Sequence, residues 1–137
     1  MIVLDTNVLS EPFKSMPSSK CIKWLDDQAA ETLYISTVSY AELRTGILRM
    51  PDGKRKNDLD ARIMEVLELF KDRTLNFDVA AAEQLAQIVS RMAKIGRKAD
   101  APDSYIAATA AAHGFAVATR NVKHLEHTGV TVINPWE

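Results

Sequence analysis

The first seven residues, Met1-Ile2-Val3-Leu4-Asp5-Thr6-Asn7, decide how the rest of the chain is read. Ile2, Val3 and Leu4 form an apolar run too short for a helix and bounded at once by polar residues, the pattern of a strand buried on both faces. Asp5 then stands where that strand ends. Ligands of open α/β sheets bind in the crevice outside the carboxyl ends of the strands, so a carboxylate delivered there is placed for chemistry. It can equally cap the turn or helix that follows. Which role applies depends on whether other acidic residues reach the same end of the sheet.

Outward from this strand, helical and extended patterns alternate. Val8 to Phe13 ends near Pro12 and is allowed at most a helical turn. Ser18 and Ser19 open a helix through about Gln28, and Thr32 to Ser36 is a second, β-branched and aromatic strand. Ser39 and Glu42 match the S-x-x-E capping box at the start of a helix running to about Met50, which Pro51, Asp52 and Gly53 break. A helix from about Asn57 to Lys71 repeats Leu59, Ile63, Val66, Leu67 and Phe70 at helical spacing. Leu75 to Phe77 is a short edge strand. Asp78 caps a helix through about Ile95, with Val79, Ala82, Leu85, Val89 and Met92 as its inward face. After Gly96 comes an alanine-rich helix, Ser104 to His113, then a strand at Phe115 to Ala118, a turn or short helix at Asn121 to Leu125, and a last strand at Val130 to Ile133. Strands alternating with helices argue a three-layer α/β domain around a parallel sheet.

A chain of 137 residues, 47% of them apolar, supports one core and one domain, residues 1–137. The net charge of −1 exerts no general pull on polyanions, so a nucleic-acid partner has to be met by a local basic patch. No run is long enough to span a bilayer and the N-terminus lacks a secretory pattern. The single cysteine, Cys21, excludes an internal disulfide and fits a reducing cytoplasm. Without a base partner it reads as a small buried hydrophobe.

Three acidic residues hold comparable places: Asp5 after the first strand, Glu42 in the first turn of the helix after the second, and Asp103 at the start of the helix before the fourth. Each has a local explanation. Glu42 completes a capping box, and Asp103, three residues after Asp100, fits an N3 position at the positive end of its helix. Considered together they carry a cost, since two like charges about 4 Å apart repel by roughly 4 kcal/mol at an effective dielectric of 20. A cation offsets it. Hard oxygen ligands suit Mg²⁺ or Mn²⁺, which keep several waters and share the rest of their shell with phosphates, pointing to phosphodiester hydrolysis.

In this order the motifs are those of a known family. Asp5-Thr6-Asn7, Ser39 and Glu42 in TVSYAEL, Gly96 to Asp103 leading into DSYIAATA, and Ala118-Thr119-Arg120-Asn121 followed by VINPW resemble the PIN-domain ribonucleases. Within these, the chain is most similar to VapC-type toxins of bacterial toxin and antitoxin pairs, in the FitB-like branch. The resemblance implies a doubly wound sheet in the order 3-2-1-4-5 and a Mg²⁺- or Mn²⁺-dependent ribonuclease. It implies Asp5, Glu42 and Asp103 as metal-binding carboxylates, and Thr6, Asn7, Ser39 and Thr119 as water-orienting or supporting residues. The family often has a fourth carboxylate. Asn121 stands in its place, bringing an oxygen but no charge, which argues against a second tightly held metal. Asp100 could supply the charge, though it also fits a cap.

Arg97 and Arg120 are candidate RNA contacts, and Lys54 to Lys56 is expected to be exposed surface. The resemblance further implies a DNA-binding antitoxin as partner and a homodimer or heterotetramer. His124 and His127 have zinc-like spacing but no third ligand, which places them at the surface. Two other readings compete. One is a non-catalytic PIN-like module that grips RNA or protein, motivated by Asn121. The other is a haloacid-dehalogenase-like phosphatase, which wants a second Asp where Asn7 stands.

Overall fold

The computed structural model describes residues 1–137. Five parallel strands, β1 (Ile2–Leu4), β2 (Leu33–Ser36), β3 (Thr74–Leu75), β4 (Ala116–Ala118) and β5 (Val132–Ile133), form one sheet in the order β3-β2-β1-β4-β5. The expected topology is therefore present, with the order reversing between β1 and β4. Val3 pairs with Tyr34 on one side and Val117 on the other, while Leu4 lies opposite Ala118.

Alternation along the strands explains why both faces need cover. Leu4 and Ala118 point into a core with Val8 and Leu9 of α1 (Thr6–Ser10), Cys21 of α2 (Ser19–Asp26), Leu43 and Ile47 of α3 (Thr37–Leu48), and Ile63 and Leu67 of α4 (Lys54–Leu69). Val3 and Val117, one residue away, point into the opposite core. There they meet Ile88 and Met92 of α5 (Val79–Lys94) and Ile106, Ala107 and Ala110 of α6 (Asp103–His113). Cys21 is buried and unpaired, as its reading as a hydrophobe requires. Ala107, Ala108 and Ala110 of α6 have no exposed surface, so this helix approaches sheet and α5 closely. A last short helix, α7 (Val122–Leu125), follows β4.

Several element boundaries differ from the sequence reading, each for a local reason. The cap of α3 is Ser36, whose side chain accepts from Ser39 N–H, so the Ser39–Glu42 capping box does not form. Ser39 is instead inside the first turn, and Glu42 lies in the second. Asp103 is the first residue of α6, with Pro102 in the cap position, and does not occupy the third. In α5 the inward face is Ala81, Leu85, Ile88 and Met92, whereas Val79 is 86% and Val89 45% exposed. The expected and observed stripes differ by a fraction of a turn, and docking against α6 selects the one carrying Ile88. The edge strand β3 begins at Thr74, because a 3₁₀ turn at Lys71–Arg73 brings the chain beside β2 earlier.

Candidate active site

Asp5 is buried, 3% exposed, at the carboxyl end of the central strand. Its backbone N–H donates to Ala118 O at 2.9 Å, which locks it against the end of β4. The capping role open in the sequence is present. Oδ1 caps α1 by accepting Thr6 N–H at 2.7 Å, while Oδ2 accepts Thr119 Oγ1 at 2.6 Å and Asn7 Nδ2 at 3.0 Å. Thr119 has no exposed surface, and Asn121 N–H donates to its hydroxyl at 2.9 Å. Asn7 spends its remaining oxygen on Arg120 N–H at 3.2 Å, so the turn after β4 is tied to the turn after β1.

Thr6 joins a second strand to this arrangement. Its hydroxyl donates to Glu42 Oε1 at 2.5 Å and lies 3.1 Å from Ser39 Oγ, which is fully buried beneath α3. Asp103, 8% exposed, enters from α6, and its Oδ2 lies 2.7 Å from His124 Nδ1. Asp5, Glu42, Asp103 and Asn121 line one open cleft of about 610 Å³, together with Thr6, Asn7, Ser10, Asp100 and His124. Residues spread over more than a hundred positions thus converge at the mouth of the sheet where ligands bind.

The electrostatics follow from this geometry. Burial pushes the Asp5 carboxyl above its ordinary value of 3.8, the nearby charges of Asp103 and Glu42 push it further, and the Thr119 and Thr6 hydrogen bonds pull against them. A negative charge at Asp5 is thus held where water cannot stabilise it. The residues that could hold a cation are oxygen donors, Asp5, Glu42, Asp103 and the Asn121 amide, a set suited to hard ions that retain water. As the side chains stand, no three of the molecule's Asp, Glu, His and Cys residues form a ready-made cage. Glu42 is engaged by Thr6 through Oε1 and Asp103 by His124 through Oδ2, which leaves each a second oxygen.

Not every candidate residue lines the cleft. Ser39 and Thr119 lie behind it as supports. The Arg120 guanidinium stacks over Trp136, 5.4 Å from the ring centroid, so this residue reaches the site through its backbone. Arg97 stands beside the cleft, 3.9 Å from Glu126 Oε2. His124 is half exposed at the surface, as its sequence reading has it, but sequence reasoning missed that it lines the cleft and meets Asp103. The usable signal was its position one turn after Asn121, at the same end of the sheet as Asp5.

With this geometry in view, comparison with known proteins gives a consistent answer. The PIN domain family matches residues 2–129. The chain is 46% identical to "VapC ribonuclease Y4jK" of Sinorhizobium fredii, over all of this chain and 99% of that protein. It is 43% identical to "Toxin FitB" of Neisseria gonorrhoeae, over 99% of both chains. A solved structure of FitAB bound to the IR36 DNA fragment superposes with a TM-score of 0.96 at 42% identity, covering 100% of this chain and 96% of that one. The protein belongs to the PIN-domain family. A dehalogenase-like phosphatase is thereby set aside, and Asn7 has its own task, donating to Asp5. Nucleases of the PIN family are in general dependent on a divalent metal.

Proposed function

We propose that this protein is a metal-dependent ribonuclease of the VapC and FitB kind, the toxin of a toxin and antitoxin pair. The observation that carries the reading is Asp5, a carboxylate raised first by burial and then by the charges of Asp103 and Glu42 at the reversal of a PIN sheet. Full-length relatives bearing ribonuclease and toxin names support it. Asp5, Asp103 and Glu42 would hold Mg²⁺ or Mn²⁺, with the Asn121 amide contributing an oxygen or orienting a water. When bound, the cation supplies Lewis acidity and a water of lowered pKa. The chain's own residues do the rest. Thr119, Asn7 and Thr6 fix the Asp5 carboxylate in one orientation, and Thr6, itself beside Ser39 Oγ, holds Glu42 on the same side. His124 holds Asp103 through Nδ1.

The substrate is RNA, positioned by cations beside the cleft, with Arg97 one of them and Arg120 shaping the Asn121 turn. The partner is a DNA-binding antitoxin whose tail covers the acidic cleft, in a homodimer or heterotetramer, as the FitAB–DNA complex of the relative suggests. No helix is long and apolar enough to cross a membrane. Purified protein is expected to cleave RNA with Mg²⁺ or Mn²⁺. Cleavage that persists in EDTA or in Asp5→Ala defeats the proposal. A second reading, a module that binds without cutting, is favoured by Asn121 in place of a carboxylate. RNA retention without cleavage, even in Asn121→Asp, would establish it instead.

A further inference from the structure

Beside the acidic cleft lies a second hollow of about 370 Å³, whose lining includes Arg97, Lys98, Lys123 and His124. The two share Asp100 and His124, so they are contiguous. The signs of their charge are opposite: carboxylates on one side of His124, three cations on the other, with Asp100 at the border. Arg97 is partly offset by Glu126 at 3.9 Å, whereas Lys98 and Lys123 enter none of the molecule's ion pairs. Lys98 comes from the loop between α5 and α6 and Lys123 from α7, so the fold brings together cations that the sequence separates. Another basic hollow, lined by Lys54, Arg55 and Arg62 around Phe13, shares no residue with the acidic cleft.

We infer that Lys98 and Lys123 form a phosphate subsite for single-stranded RNA, gripping the backbone phosphate next to the one that is cut. This rests on the ribonuclease reading and names where its substrate lies. A strand crossing the cleft presents one phosphate to the acidic residues through their cation, and its neighbour falls beyond His124. Mobile lysines suit this task, since a point charge holds a phosphate without reading the base. Arg97, tied to Glu126, reinforces the same hollow at longer range.

The test uses a short, labelled, mixed-sequence single-stranded RNA and the full chain carrying Asp5→Asn, in Mg²⁺, so that binding is read without cleavage. Adding Lys98→Gln and Lys123→Gln should weaken binding about tenfold at low salt. It should also flatten the slope of log affinity against log salt by about 0.7, the share of one phosphate contact to a single strand. In the otherwise unaltered enzyme the same pair of changes should raise KM about tenfold and leave kcat unchanged. Replacing the adjacent phosphate by an uncharged methylphosphonate should weaken binding to the Asp5→Asn protein and have little further effect once the lysines are gone. Unchanged affinity and slope in the lysine variant overturn the subsite, as does a loss seen only with Lys54→Gln and Arg55→Gln. A parent that binds RNA through these lysines yet never cuts it overturns the ribonuclease reading and leaves the phosphate grip standing.

Discussion

Thr119 Oγ1 donates to Asp5 Oδ2 at 2.6 Å, joining two residues 114 positions apart across the sheet reversal. Both are buried, and the same hydroxyl accepts from Asn121 N–H. One threonine therefore orients the central carboxylate and the turn that carries its neighbour. Thr119→Val, which keeps the shape and deletes the hydroxyl, should cost about 1–3 kcal/mol in denaturant unfolding. It should weaken Mn²⁺ binding by calorimetry, and Thr119→Ser should recover both.

Asp5→Asn removes the buried charge while keeping an oxygen that can cap α1, and Asn is as good a cap as Asp. Cleavage should vanish, and because an amide nitrogen at the Oδ2 position cannot accept from Thr119 or Asn7, unfolding in EDTA should cost up to about 1–3 kcal/mol, offset by relief of the buried charge. Saturating Mn²⁺ should stabilise the unaltered protein by about 2.7 kcal/mol at a hundred times Kd and leave the variant unmoved. An equal shift in both would place the cation elsewhere.

Two carboxylates should bend the pH dependence of metal-free stability in opposite directions. Because the folded chain raises Asp5, its proton is held more tightly than in the unfolded chain, and stability declines as pH rises from 3.8 through the raised value. Glu11 is buried, 3% exposed, and burial works to raise it. The Lys14 ammonium, Ser18 N–H and Trp136 indole outweigh that and hold it below 4.5. Its contribution is present above 4.5 and is lost as pH falls through the lowered value. Thermal melts across this range should lose the first slope in Asp5→Asn and the second in Glu11→Gln.

Asn121 lines the cleft without charge. The unaltered protein should bind one Mn²⁺ per chain in calorimetry. Asn121→Asp, which adds a carboxylate beside the others, should tighten that site or add a second. A stoichiometry of two in the parent would contradict the role given to the amide.

The register of α5 is also open to measurement. Ile88→Ala should cost roughly 2–5 kcal/mol, as expected where a fully buried residue leaves a cavity. Val79→Ala should stay within about 0.5 kcal/mol, since that side chain is almost wholly exposed.

Much of this molecule is local in origin and therefore legible in one dimension. The apolar run before Asp5, the Asp78 cap, the Gly114 stop and the helical repeat of α4 each depend on neighbours a few residues away, and the order of the blocks pointed to the PIN family before any coordinate. What sequence could not decide depended on distant partners. The expected inward stripe of α5 ran through Val79, Ala82 and Val89, and contact with α6 turned Ala81 and Ile88 inward instead. Ser39 and Glu42 fitted a capping box until Ser36 took the cap and left Ser39 and Glu42 to meet Thr6. Lys123 carried no signal of its own and His124 only its position one turn after Asn121, because a side chain's role at a sheet mouth is set by what other strands deliver there. Sequence alone determined which chemistry the chain could carry, through its acids and the short-range periods that build strands and helices. Tertiary packing decided which of those acids share a cleft and what each one touches, because those contacts bridge residues that chain connectivity does not constrain.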